Sequence, residues 1–341
     1  MSPKNLNVPN KIHKILLSKL KKKKLLEIYK KFEINLDLNQ DFIVAVSGGP
    51  DSLVLAFLAK IYSIKNNIDV NFFIVDHKLR KGSTREAKLV KKKLKEYSIN
   101  LNILNWYGKK PKTNIQSIAR EKRYKLLFEN AKKLKVNNIL LGHHQDDLLE
   151  NFLIRILRGS GLNGLVSLDK RTQNQKINLL RPLLDYNKKD LIYICKYIYG
   201  SFVSDPSNQD DKFKRVRIRI LLNQLEKEGF DKKKFSLTIK NLKYANETIK
   251  FYTKKNLETN VFFLKRKSLA ILNKNFFYQS DEVAFRSFKE IIKLIGKKYY
   301  SPRGKKIDSI INLVNIKPTF KVTLGGCVIK KVNQTLIVTK E

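Results

Sequence analysis

Cysteine is scarce in this chain: two residues in 341. Cys195 lies in the mostly apolar IYICKYIY and Cys327 in LGGCVIKK. Neither belongs to a C-x-x-C pair, so no zinc or iron–sulfur site of the usual spacing is visible, and both read as small core residues. Long apolar runs are also missing. Nothing approaches the roughly 18 residues of a membrane span, and ILL at 15–17 is too short for a signal-peptide core. We therefore expect a cytoplasmic protein with no membrane segment. There is no internal repeat or long low-complexity tract.

Acids are outnumbered, 30 Asp+Glu against 71 Lys+Arg, for a net charge of +41. A composition heavy in Lys, Asn and Ile can raise lysine without a ligand. It does not favour bases over acids to this degree, so the imbalance predicts a polyanionic partner, foremost nucleic acid. The first 24 residues alone carry eight lysines and no acid.

A third absence concerns one residue. Residues 44–52 read VAVSGGPDS, an apolar β-forming run followed by two glycines flanked by serines and then a helix-like stretch. This is the pattern of a phosphate loop without the lysine of G-x-x-x-x-G-K-S/T. Gly48 and Gly49 let the backbone approach a phosphate, and the next amides with the helix N-terminus form an anion nest. Ser47 and Ser52 add hydroxyl donors, and Pro50 fills the variable position. Asp51 makes sense as a magnesium ligand or as a cap of its own helix.

From 41 to about 200, strand-like and helix-like stretches alternate. FIVAV (42–46), VNFFIVDH (70–77), LNILNWY (101–107), NNILLGHH (137–144) and INLLRPLL (177–184) read as strands, with helices over 51–64, 83–97, 114–135 and from the GHH stretch to about 157. Ser83 and Glu86 are spaced as a capping box. The alternation predicts an α/β fold with a parallel sheet covered on both faces, and ligands beyond the carboxyl ends of the strands. After the polar stretch 204–212 the pattern turns helical and basic, with 12 Lys/Arg against three acids over 231–280. Residues 281–341 read as two helices and three short strands turning at Gly325-Gly326 and Asn333-Gln334. The expected organisation is a basic helical extension (1–40), a nucleotide-binding domain (41–212), a helical basic domain (213–280) and a small α/β domain (281–341).

The second chemical stretch is GHHQDDLLEN, 142–151. His144, Asp147 and Glu150 recur at i, i+3, i+6, roughly one face of a helix near its N-terminus. Carboxylates there could hold magnesium against phosphates or position a nucleophile. Taken alone the stretch reads better as a helix cap and a solvated acidic turn.

SGGPDS resembles the loop of the PP-loop ATP pyrophosphatases. The resemblance implies that it holds the pyrophosphate of ATP during adenylation, which accounts for the missing lysine. GHHQDDLLEN resembles the G-H-H-x-x-D-x-x-E-T block of tRNA(Ile)-lysidine synthetases and their tRNA-thiolating relatives, with Asn151 where threonine is usual. VDHKLRKGSTREA (75–87) resembles the family's segment near the adenosine, which implies nucleotide contacts at Asp76 and His77 and likewise at Gly142, His143 and His144. IQSIAREKRY (115–124) implies that Arg120 meets the nucleotide, a cation suited to developing phosphate charge. RGSGLNGLVSL (158–168), RPLL (181–184) and SDPSNQDDKFKRVRIR (204–219) follow in the family's order. Arg215, Arg217 and Arg219 would then grip the tRNA backbone, spread over about 200° if helical.

The resemblance implies ATP and magnesium as cofactors, with Asp51 and Asp147 on the metal and Asp51, Asp147 and Arg120 catalytic. Its substrates would be an isoleucine tRNA with a CAU anticodon and free lysine, and the resemblance implies a homodimer. The reaction would be adenylation of O2 of the wobble cytidine and attack of the lysine ε-amine at C2. Three rivals stand beside it: a 2-thiocytidine-type thiolase, a non-catalytic RNA-binding protein with a degenerate nucleotide fold, and a small-molecule amidating enzyme.

Overall fold

A computed structural model describes residues 16–79, 82–108, 111, 113–174, 176–203, 212–264, 268–298 and 302–341. Residues 1–15 of the lysine-rich start, all of the polar stretch 204–212 except Lys212, and Ser301 lie outside them. The chain divides into two compact units, Met1–Ser236 and Leu237–Glu341. Among the described residues no helix is long and apolar enough to cross a membrane.

The first unit is built on a six-stranded sheet in the order β3-β2-β1-β4-β6-β5. Its strands are β1 (Phe42–Val46), β2 (Val70–Asp76), β3 (Leu101–Asn105), β4 (Asn138–Leu141), β5 (Arg171–Asn174) and β6 (Ile177–Leu180). All neighbours pair in parallel except β5, which forms an antiparallel hairpin with β6. The sequence pattern missed β5: RTQN is polar and largely exposed, so no apolar alternation marks it. The fifth expected strand stops at Leu180, because Leu183 and Leu184 follow in a turn.

Helices cover both faces. α1 (Lys23–Leu36), α2 (Pro50–Asn66), α3 (Ser83–Lys95) and α7 (Lys188–Tyr199) share one core with β1 and β2. α4 (Ile115–Leu134) covers the other face through Leu127 and Ala131. α5 (Gln145–Ile156) and the short α6 (Leu162–Leu165) follow β4. α1 is no appendage of the nucleotide domain: Leu25, Tyr29, Phe32 and Leu36 are essentially fully buried in the shared core. The expected capping box also fails. The cap of α3 is Gly82 at φ +96, and the Ser83 hydroxyl donates instead to Asp76.

The chain reverses its strand order between β1 and β4, which opens a crevice at their carboxyl ends. Ala45 lies opposite Leu141, so both strands release their loops at the same height. VAVSGGPDS and GHHQDD therefore leave the sheet side by side.

α8 (Lys214–Lys227) closes the first unit, and α9 (Lys232–Asn260) runs from it into the second. The second unit is a five-stranded antiparallel sheet, β7-β8-β11-β10-β9, packed on α10 (Asp281–Gly296) and α11 (Gly304–Ile316). Its strands are β7 (Val261–Leu264), β8 (Leu269–Leu272), β9 (Thr319–Leu324), β10 (Cys327–Val332) and β11 (Thr335–Lys340). β8 pairs with β11 across the expected boundary at 280/281, so that boundary falls inside one unit. The two short strands were hidden in a lysine-rich, helix-like context. The Gly325-Gly326 hairpin turn forms as expected, with both residues at positive φ.

Candidate active site

The phosphate loop is braced internally. Ser52 Oγ accepts from Ser47 N at 3.0 Å, lies 3.1 Å from Ser47 Oγ, and donates to Gly49 O at 3.0 Å. Gly48 has φ +86, and a Cβ there would meet Val90 Cγ2 at 2.8 Å, so only glycine fits. Gly49 is the N-cap of α2 and Pro50 its first residue, which suits a ring that lacks an N–H and fixes φ. The amides of the loop are thus presented at a helix N-terminus, a ready anion site.

Gly142 acts by proximity. A Cβ on it would lie 3.2 Å from both N and Cα of Ser52. Without a side chain, the loop after β4 rests directly on the first turn of α2. This contact brings His144 to Asp51. His144 Nε2 is 3.7 Å from Asp51 Oδ2 and 3.4 Å from Asp147 Oδ2. His144 also caps α5: its Nδ1 accepts from Asp146 N, while Asp147 Oδ2 accepts from His144 N at 3.0 Å. With Nδ1 an acceptor, a neutral imidazole carries its hydrogen on Nε2, facing both carboxylates. The helix-cap reading is therefore correct for His144 and Asp147, and it coexists with their place beside the loop. Burial alone would raise the Asp147 carboxyl, but His144 and His143, the hydrogen bond from the His144 amide and Arg215 together hold it low.

Asp51 Oδ2 accepts from Lys188 at 2.5 Å, and Asp51 Oδ1 is buried without a partner. A buried carboxylate oxygen left open fits a hard cation. Among the described residues no group of three or more His, Cys, Asp or Glu is placed to hold a metal ion. Lys188 was not legible as a site residue, since nothing in YNKKDL distinguishes it from a surface lysine.

The remaining expected residues divide. Asp76 serves the loop after β2: Oδ1 accepts from Lys78 N and Ser83 Oγ, and Oδ2 from Thr84 Oγ1 at 2.5 Å. Those bonds overcome the effect of burial and lower its pKa. Its carboxylate is engaged within the chain, where it fixes the loop expected beside the nucleotide. Arg120 donates to Tyr124 Oη at 3.1 Å and lies with Arg123 against the Tyr124 ring. Arg120, Arg123 and Arg181 all bear electrostatically on His143, whose Nδ1 is unpartnered; burial first and these cations next hold its pKa down, against Asp147.

His77 packs edge-on against Trp106 and is pushed down to about 4, by burial first and then by Arg123. Its folded value is depressed, so the unfolded chain binds the proton first. The stabilising contribution is complete above about pH 6.5 and falls as pH drops toward 4. We expect wild type to lose up to about 2 kcal/mol more than His77→Gln between pH 7 and pH 5. Urea midpoints at the two pH values measure this, and parallel losses would refute it.

α8 shows that 215–219 is helical, so Arg215 and Arg219 share a face and Arg217 does not. Arg215 and Arg217 are exposed, flanking buried Val216 and Ile218. Arg219 differs from the other two in having a partner within the chain. Its Nε donates to Glu150 Oε1 at 2.5 Å and its Nη2 to Oε2 at 3.3 Å. Glu150 is 2 % exposed; burial raises its carboxyl, Arg219 offsets this in part, and the raised Arg219 agrees with a charged pair at that distance. Arg219→Ala should cost about 2 kcal/mol, below the ~3–5 of a fully buried pair because the guanidinium is partly solvated. An unchanged urea midpoint would show the pair to be incidental.

The PP-loop domain family model matches residues 17–226. A tRNA(Ile)-lysidine synthase of Wolbachia pipientis wMel is 33% identical over 306 residues, spanning 89% of this chain and 71% of the relative. A tRNA(Ile)-lysidine synthase of Rickettsia felis is 30% identical over 334 residues, spanning 92% and 74%. Among solved structures, the U34-tRNA thiolase NcsA of Methanococcus maripaludis, with its 4Fe–4S cluster, superposes with a TM-score of 0.56 at 20% identity, covering 66% of this chain and 80% of that one. That likeness shows the fold alone.

Proposed function

The chain belongs to the tRNA(Ile)-lysidine synthases of the PP-loop domain family, and on that premise we propose that it is the ligase that makes lysidine at the wobble cytidine of a CAU-bearing isoleucine tRNA. The observation that carries the reading is the meeting of two loops at the β1/β4 crevice. Gly142 rests on Ser52, and His144 bridges Asp51 and Asp147.

The amides around Gly48 and Gly49 would hold the β- and γ-phosphates of ATP, with Ser47 and Ser52 fixing the loop. O2 of the cytidine attacks the α-phosphorus, and the bond to the bridging oxygen breaks with its electron pair on pyrophosphate. The ε-amine of lysine then attacks C2, and AMP departs with the former O2. Magnesium bound at Asp51, and in this reading also at Asp147, would neutralise charge building on the phosphates. Arg120 would add a fixed cation near the α-phosphate. Phosphate contacts along Arg215, Arg217 and the basic second unit would position the RNA, while splayed anticodon bases supply specificity.

The thiolase alternative is disfavoured by the cysteines. Both are buried and free, and burial pushes Cys195 up to about 12 and Cys327 up to about 11, which makes poor sulfur nucleophiles.

The test is direct. The protein is incubated with ATP, magnesium, labelled lysine and isoleucine tRNA bearing CAU. Label in the tRNA is expected; folded protein on intact tRNA giving none would overturn the reading. Sedimentation equilibrium tests the homodimer that the family resemblance implies.

A further inference from the structure

The phosphate loop lacks a lysine in its sequence but not in space. Lys188, 137 residues after Asp51, places Nζ 2.5 Å from Asp51 Oδ2 and 3.4 Å from His144 Nε2. It is the first residue of α7, whose cap is Asn187: the Asn187 side chain accepts from Asp190 N at 2.8 Å and donates to Asp190 Oδ2 at 2.6 Å. The cap fixes where α7 starts, and so where Lys188 emerges.

Stability gives no reason for a cation at that point. A positive charge at the N-terminus of its own helix opposes the helix dipole, and the N-terminus of α2 is directed at the same place through Gly49 and Pro50. Asp51 is the acid paired with Lys188 there, and that pair leaves Oδ1 of Asp51 unsatisfied. The Asp51–Lys188 pair thus sits in the first turns of both α2 and α7, beside the loop amides. Helix N-termini, free amides and an ammonium group at one place suit an anionic ligand more highly charged than a carboxylate. The side chain of Lys188 is 32% exposed and that of Asp51 16%, so the ammonium lies on the open side of the pair, within reach of an incoming anion.

We propose that Lys188 supplies the cation absent from the loop: it holds Asp51 when no nucleotide is present and passes to the β- and γ-phosphate oxygens when ATP binds, so that it receives the departing pyrophosphate. The proposal rests on the reading of the loop as a pyrophosphate site. In the adenylation step the bond between the α-phosphorus and the bridging oxygen breaks, and its electron pair remains on pyrophosphate. Lys188 donates hydrogen bonds to that product and transfers no proton.

The experiment is calorimetric titration of the full chain with magnesium pyrophosphate, and separately with ATP, in wild type, Lys188→Ala, Lys188→Gln, Lys188→Arg and Lys189→Ala. Lys189 is the exposed neighbour and removes the same charge from the same helix end. A charge-assisted hydrogen bond predicts that Lys188→Ala and Lys188→Gln weaken pyrophosphate at least about tenfold, with Lys188→Arg regaining most of it and Lys189→Ala costing less than about threefold. The affinity for tRNA should stay at the wild-type value, and the loss in turnover should appear in kcat, leaving the KM for tRNA unchanged. Equal losses at 188 and 189, or none at 188, would overturn the proposal, as would wild type that binds ATP but not pyrophosphate. Wild type that binds neither would remove the pyrophosphate-loop reading itself.

Discussion

Asp51→Ala should lower the rate of adenylation by at least about a hundredfold, the scale seen when one preorganised electrostatic partner of a transition state is removed, and leave tRNA affinity within about twofold of wild type. The carboxylate is the point where His144 and Lys188 meet the loop, and one of its oxygens is left open. ATP-dependent AMP formation in a single turnover measures the first quantity, and filter binding of tRNA the second. Loss of tRNA binding would mean that Asp51 belongs to the RNA surface. Asp147→Ala should have a similar effect on rate, but its Oδ2 also accepts the amide of His144. Loss of that cap alone costs about 1 kcal/mol. Asp147→Asn separates the roles, since the amide oxygen can still accept. A fast Asp147→Asn enzyme would reduce Asp147 to a capping residue.

The affinity for tRNA should collapse with salt. If six to ten phosphates are neutralised, binding falls by about 10³–10⁵ between 50 and 200 mM salt. The net charge of +41 makes such a count easy to reach. The slope also discriminates residues. Arg215→Ala and Arg217→Ala should each reduce it by about one unit. Arg219→Ala should leave it unchanged, because Arg219 is held by Glu150. A shallow slope in wild type would return the charge to mere composition, and a reduced slope in Arg219→Ala would mean that the ion pair opens on binding.

The parallel sheet and its two loops were legible because they depend on local signals: apolar runs of strand length, followed by glycines and a helix start. The loop residues Ser47 to Ser52 and the GHH stretch meet as expected because strand order alone brings them to one edge. What stayed hidden depends on long-range partners. Lys188 reads as one lysine among many, and only the packing of α7 against α2 brings it to Asp51. Arg219 carries the same letter as Arg215 and Arg217; the helical period separates it from Arg217, and a glutamate 69 residues upstream separates it from Arg215. Ser83 satisfied a capping pattern, yet Asp76 competes successfully for its hydroxyl. β7 and β8 escaped because four-residue strands carry too little periodicity to stand against a basic, helix-like background.

The contact of Gly142 on Ser52 sets a mechanical tolerance. Side chains can change rotamer to absorb an error of a few tenths of an ångström; two backbones in contact cannot. A single methyl at 142 would lie 3.2 Å from main-chain atoms of the loop helix, tighter than such contacts ordinarily are, and the two halves of the site would have to separate to admit it. Every group proposed to hold a phosphate would still be present. The spacing between the nest and the His144–Asp147 pair behaves as a gauge, cut to one width by the absence of a carbon atom, and a chain altered only there would keep its RNA surface while its chemistry fell out of alignment.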